Sequence, residues 1–164
     1  MRMRAVTAVC GDEQMSQTCL NSGIRIIEVS TQHIDEIGKL MYDSYLNTID
    51  YDNETPEDAK QEVISTFSGK YGELILESSY VAVSSENELI SAALFVLNAA
   101  TGYPLLAFTM TDPRFQGQGL CKLLVQKGLG ILANRGQTTC ELVVTEGNTN
   151  ALRVYQSLGF EATL

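Results

Sequence analysis

Between Thr111 and Gln126 the chain reads TDPRFQGQGLCKLLVQ. A proline and an aromatic residue precede two glycines two positions apart, and apolar residues at helical spacing follow at once. Gly117 and Gly119 open main-chain conformations closed to other residues and let the backbone approach a ligand closely. The helix beginning there has first-turn N–H groups without intrahelical acceptors, and it carries the positive end of its dipole. Such backbone binds anions, and phosphate oxygens suit it best. Two familiar phosphate-binding patterns do not fit. A P-loop needs GxxxxGK[ST], which this spacing does not match, and a dinucleotide fingerprint needs a third glycine where Lys122 stands. Glycines that merely let a helix start pack closely are the remaining alternative.

A second group with chemical potential lies upstream, where Tyr42, Asp43, Tyr45, Asp50, Tyr51, Asp52, Glu54, Glu57, Asp58 and Glu62 crowd together. Carboxylates among tyrosine faces suit a cation, through Coulomb attraction and cation–π contact. The same residues would also serve as a solubilising helix face with capping acids. A metal centre is not expected: His33 is the single histidine, and Cys10, Cys19, Cys121 and Cys140 are scattered with no CxxC.

The whole chain sets limits on these possibilities. Its 164 residues, 45% hydrophobic and 19% charged, suit one globular domain with a real core. The net charge of −9 argues against DNA or RNA, whose binding needs clustered Lys and Arg. No apolar run approaches the roughly 20 residues that span a bilayer. The apolar run after Arg2 and Arg4 stops at Cys10-Gly11-Asp12, too short for a signal-peptide core. Val9 stands where a lipoprotein signal would have a small residue. A cytoplasmic protein is expected, with no membrane partner.

The elements that must position these groups are legible in outline. Residues 1–22 form a polar, weakly patterned extension, disordered or an added strand, and the domain proper runs over 23–164. Ile24–Ser30 reads as a strand, and Thr31 to Asn47 as a helix by Ile34, Ile37 and Met41. Thr55-Pro56-Glu57-Asp58 places a cap, a first-turn proline and an acid three residues after the cap, so a helix runs over 56–68. Ser79–Ser85 and Glu88–Asn98 form an antiparallel hairpin. Leu105–Thr111 is a strand that enters the glycine loop, and a helix follows over 119–133. A strand at Thr138–Thr145, a short helix at Ala151–Leu158 and the beginning of a strand at Phe160 complete the order. The result is an α/β fold, a mixed sheet flanked by helices. The strand–loop–helix–strand unit within it requires a parallel, right-handed crossover.

With these elements in place, the sequence resembles the GNAT superfamily of N-acetyltransferases. The family's acetyl-coenzyme A motif, Q/R-x-x-G-x-G/A, maps onto Gln116, Gly117, Gln118, Gly119, Leu120 and Cys121, preceded by Pro113-Arg114-Phe115. A second signature, N-x-x-A-x-x-x-Y-x-x-x-G-F, is matched by Asn148, Ala151, Tyr155, Gly159 and Phe160. The resemblance covers residues 24–161 and implies the GNAT acyl-coenzyme A N-acyltransferase fold. Cys121 departs from the motif, which has Gly or Ala there, and places a side chain near the expected pyrophosphate. The chain also ends at Leu164, where family members complete a C-terminal hairpin. The edge of the 138–145 strand is therefore expected to be covered, either by Arg4–Cys10 or by another chain in a homodimer.

The resemblance further implies the reaction. Acetyl-coenzyme A is the co-substrate and no metal takes part. Its pantetheine arm is expected along Thr109, Met110 and Thr111, and its pyrophosphate on the glycine loop, with Asn148 and Ala151 beside it. A backbone N–H of the strand, that of Met110, would steady the oxyanion as an amine attacks the thioester. Tyr155 stands at the position of the general acid for the leaving thiolate, and Glu146 is the nearest candidate base. Tyr45, Asp50 and Asp52 are the expected acceptor contacts for a small cationic amine. Two alternatives stay open: a non-catalytic acyl-coenzyme A-binding or assembly module, and a protein or peptide N-acetyltransferase.

Overall fold

The structure is a computed structural model that describes residues 1–6 and 22–163. Cys10, Cys19 and the Thr7–Cys10 part of the expected edge cover fall outside the described residues.

Local sequence accounts for the helices. Helix α1 (Ile34–Tyr45) follows a single 3-10 turn at Thr31–His33 and buries Ile37, Leu40 and Met41 on one side. Helix α2 (Pro56–Phe67) starts as its cap requires. The Asp58 N–H donates to Thr55 Oγ1 at 3.2 Å, and the Thr55 N–H donates to Asp58 Oδ2 at 2.8 Å. Asp58 consequently holds its carboxyl below the usual range, through the Thr55 hydroxyl and amide. Helix α3 (Leu120–Asn134) and helix α4 (Thr149–Ser157) complete the set. No helix among the described residues is long and apolar enough to cross a membrane.

The strands are β1 (Arg2–Val6), β2 (Arg25–Glu28), β3 (Glu73–Leu74), β4 (Tyr80–Val83), β5 (Leu89–Leu97), β6 (Pro104–Thr111), β7 (Thr139–Val143) and β8 (Glu161–Ala162). They form one mixed sheet in the order β2-β4-β5-β6-β7-β1-β8, with β3 paired to β5. Strand β5 is central. Its Leu89, Ala92 and Leu94 face the α1/α2 layer while Ile90, Ala93 and Phe95 face the α3/α4 layer, so both faces are apolar and alternation disappears from the sequence. Helix α3 lies tight against the sheet at Gly128, where a Cβ would come within 2.4 Å of the Phe95 ring. The sequence gives no sign of β3, because a strand of two residues has no periodicity.

At the other edge, the N-terminal strand does what the sequence required of some cover. Strand β1 is inserted antiparallel between β7 and β8, with Met3 opposite Leu142 and Ala162. Met3 and Ala5 enter the core, and Arg4 meets Glu141, a carboxylate with 0% exposure. The Arg4 Nε donates to Glu141 Oε1 at 2.7 Å and the Thr101 hydroxyl donates to Oε2 at 3.0 Å, so the buried charge is paired on both oxygens. Within the described residues the covering segment is Arg2–Val6, which overlaps the expected Arg4–Cys10 at Arg4–Val6, so this part of the N-terminal extension is an added strand. Of the two covers expected for the β7 edge, the structure shows the N-terminal one.

Candidate active site

Strands β6 and β7 pair in parallel at only two positions, Leu105 with Glu141 and Leu106 with Leu142. Beyond them the strands separate. Ala107–Thr109 line one side of the resulting gap and Val143–Thr145 the other. The register decides which backbone groups look into it. Asp112 donates its N–H to Ile90 O, so by antiparallel alternation Ala92 and Met110 form the next hydrogen-bonded pair. The Met110 carbonyl accordingly accepts the Ser91 hydroxyl at 3.0 Å on the β5 side. The Met110 N–H therefore points at Ala92, away from the gap, and cannot steady an oxyanion there. Thr109 and Thr111, in the non-hydrogen-bonded positions, turn their amides toward the gap. Their carbonyls are already occupied: Tyr45 Oη donates to Thr109 O at 3.0 Å, and Gln116 Nε2 donates to Thr111 O at 3.1 Å.

Two tyrosines meet at this point from opposite layers. Tyr45 ends α1, and Tyr155 lies on α4 with its hydroxyl 2.9 Å from Thr109 Oγ1 and its ring edge-on to Phe160. Both phenols are pushed well above their ordinary value, chiefly by burial. At any ordinary pH each keeps its proton. Asp50 is also here. Asn148 Nδ2 donates to Asp50 Oδ2 at 2.7 Å, while Asn148 Oδ1 accepts the Ala151 N–H at 3.0 Å and caps α4.

These residues stand where two cavities join. One, of about 790 Å³, is lined by the glycine loop, the start of α3 and the start of α4. The other, of about 730 Å³, runs between α1, α2 and the gap. Tyr45, Asp50, Thr109, Asn148, Ala151 and Tyr155 line both. The first cavity contains Gly117 at φ +75° and Gly119 at φ +79°. A Cβ at Gly117 would touch nothing within 4 Å, so it is the left-handed backbone, not space, that calls for glycine there. Lys122 and Arg153 supply positive charge in this cavity, and no motif marks the pair because they lie on separate helices. The buried Ser44 hydroxyl on the same wall has no partner among the described residues. In the second cavity Asp50, Glu54, Asp58 and Glu62 face a single cation, Lys70, which is paired to Glu62 at 2.6 Å.

Most of the expected site residues are thus brought together. Thr109, Met110, Thr111, Gln116, Gly117, Gly119, Leu120, Cys121, Asn148 and Ala151 line the glycine-loop cavity. Gln118 lines neither cavity and is exposed. Glu146 is exposed in a turn and lines neither cavity, and Asp52 lines neither, its N–H donating to Glu54 Oε2 at 2.7 Å. Cys121 points inward to Thr109, and burial raises its thiol. No group of three or more His, Cys, Asp and Glu among the described residues is arranged to hold a metal ion.

Residues 41–160 match the acetyltransferase (GNAT) family. The chain belongs to that family. Both cavities and every residue at their junction lie within the matched span. The [ribosomal protein bS18]-alanine N-acetyltransferase of Salmonella typhimurium is 33% identical over 102 residues, 60% of this chain and 64% of that protein. The mycothiol acetyltransferase of Tsukamurella paurometabola is 42% identical over 65 residues, 40% of this chain and 22% of that protein. The chain therefore spans less than two thirds of the length of either relative. Among solved structures, a GNAT acetyltransferase of Brucella melitensis in complex with acetyl-CoA superposes with a TM-score of 0.66 at 23% identity, covering 86% of this chain and 84% of that one. This likeness establishes a shared fold.

Proposed function

We propose that the chain is an acetyl-coenzyme A-dependent N-acetyltransferase acting on a small amine whose remaining groups are cationic. One observation carries this most directly. A glycine loop and helix start suited to phosphates, with Lys122 and Arg153 beside them, share a junction with a carboxylate-lined cavity, and a protonated phenol stands between the two. The loop backbone and these two cations would hold the pyrophosphate. The pantetheine arm would lie against the gap edge of β6, where the Thr109 and Thr111 amides are turned outward.

The chemistry follows from this placement. An amine entering from the acidic cavity attacks the thioester carbonyl, and the gap-facing amide of Thr109 or Thr111 stabilises the oxyanion. Collapse of the adduct expels the thiolate, to which Tyr155 gives its proton. Tyr155 sits within hydrogen-bond reach of Thr109 Oγ1, so its hydroxyl is already aimed at the mouth of the gap.

A peptide N-terminus is the second reading, favoured by the 33% identity to an enzyme named for an alanine of bS18. Both are tested together. Calorimetric binding of coenzyme A is measured first, followed by thiol release from acetyl-coenzyme A with polyamines, aminoglycosides and Ala-initiated peptides as acceptors. Turnover on the first two groups supports the small-amine reading and turnover on peptides the second. Coenzyme A binding without turnover on any acceptor would leave a non-catalytic module.

A further inference from the structure

An alkyl ammonium cannot attack a thioester until it loses a proton, and no histidine lines either cavity to take it. We infer that Asp50 is the group that deprotonates the acceptor. This rests on the transferase reading above. Asp50 is one of the six residues common to both cavities, and the only carboxylate among them. Its placement comes from two directions. The loop after α1 carries it to the junction, with its N–H on the Thr48 hydroxyl at 3.3 Å. The α4 cap then fixes which way Asn148 points its amide, because Asn148 Oδ1 is committed to Ala151, so Nδ2 must face Asp50 Oδ2. One carboxylate oxygen is thus held while Oδ1 has no hydrogen-bond partner among the described residues. Glu146, exposed and outside both cavities, has none of these properties.

The groups facing Asp50 suit this task. Tyr45 from α1 and Tyr155 from α4 are uncharged at neutral pH, and so is Cys121 from α3, which lines the glycine-loop cavity beside Thr109. Lys122 and Arg153 line the glycine-loop cavity with no ion pair to Asp50 among the described residues, and Lys70 in the other cavity is paired to Glu62. Glu54 and Asp58 lie farther along the acidic cavity and draw the ammonium in. In the step itself Asp50 takes one proton from R–NH3⁺ and passes it to water. The freed lone pair forms the C–N bond to the acetyl carbon, and the C–S bond breaks. The nitrogen then sheds a second proton, which replaces the one Tyr155 gives to the departing sulfur. One proton is released per acetyl transferred.

The test compares Asp50→Asn with the unaltered protein on two probes, alanine amide and Nα-acetyl-lysine amide. At pH 7 an α-amine titrating near 8 is about one tenth neutral, whereas an ε-amine near 10.4 is neutral about once in 2500 molecules. Asp50→Asn is expected to lose about 10-fold in kcat/KM on the first probe and a few hundred-fold or more on the second. The deficit should close as pH rises toward 10, and Asp50→Glu should restore part of the rate. Equal loss on both probes at every pH overturns the inference, since a merely structural role lowers both alike. If the unaltered protein binds coenzyme A by calorimetry but acetylates neither probe nor any other amine, the transferase reading fails, and this inference with it.

Discussion

Replacing Tyr155 with Phe isolates one proton. The ring keeps its edge contact with Phe160, whose centroid is 6.0 Å away, and only the hydroxyl is lost. Structurally that removes the 2.9 Å bond to Thr109 Oγ1, on a threonine that is only partly buried, so water can satisfy what remains. The cost is about 1 kcal/mol, or a melting temperature lower by about 2–4 °C for a chain of this size. Catalytically the loss is larger. A general acid contributes about 10²–10⁴-fold. Here the donor is a phenol made weaker by burial, while a thiol titrates near 8.5 and its thiolate can leave partly unaided. The lower end applies, and kcat should fall about 100-fold, equivalent to about 2.7 kcal/mol. The KM for acetyl-coenzyme A should stay within about twofold, since no contact with the glycine loop changes. The assay is thiol release between pH 6 and 9, beside calorimetric binding of coenzyme A. If Tyr155→Phe kept more than about a third of kcat across that range, the proton would come from elsewhere and the role given to Tyr155 would be wrong.

Further expected outcomes concern the cofactor loop, the N-terminal strand and alkaline stability. A Cβ at Gly117 meets nothing within 4 Å, so Gly117→Ala should cost only about 1–2 kcal/mol for a side chain in left-handed backbone, yet weaken coenzyme A binding at least about tenfold. Unchanged affinity by calorimetry would remove the loop from the phosphate site. Arg4→Ala strands the buried Glu141 carboxylate; because the Arg4 side chain is 44% exposed, the effect should fall below the full value for a buried pair, at about 2–3 kcal/mol or about 4–12 °C in melting temperature. Adding Glu141→Gln should recover most of it, and a shift within about 1 °C for Arg4→Ala alone would mean that β1 does not hold that place. Burial raises the Tyr45 and Tyr155 phenols, so their neutral forms contribute stability that is complete below about pH 10 and declines as pH rises above it, where the unfolded chain ionises first. Urea unfolding at pH 8, 9.5 and 10.5 should show that decline, and it should be shallower in a Tyr45→Phe, Tyr155→Phe double variant.

Much of this protein is legible in its residues because the causes are local. Thr55, Pro56 and Asp58 start α2 through bonds spanning three positions, and no distant contact is needed. Gly117 and Gly119 announce left-handed backbone ahead of a helix in the same way, and the family's two motifs are likewise written over short stretches. What only the tertiary structure decides depends on partners far apart in the chain. Strand register turned the Met110 amide away from the gap and the Thr109 and Thr111 amides into it, since a one-residue step reverses the direction of every backbone group. Sheet order brought residues 2–6 beside residues 139–143, and so paired Arg4 with a glutamate that would otherwise be a buried lone charge. Asp50 and Asn148 are 98 positions apart, and nothing in either neighbourhood says that they meet. Glu146 looked closer to the chemistry because it directly follows the 138–145 strand that borders the gap. A turn carries it outward, while a loop from the opposite layer brings Asp50 in: side chains are gathered at a site by the packing of whole layers, and proximity along the chain does not record that.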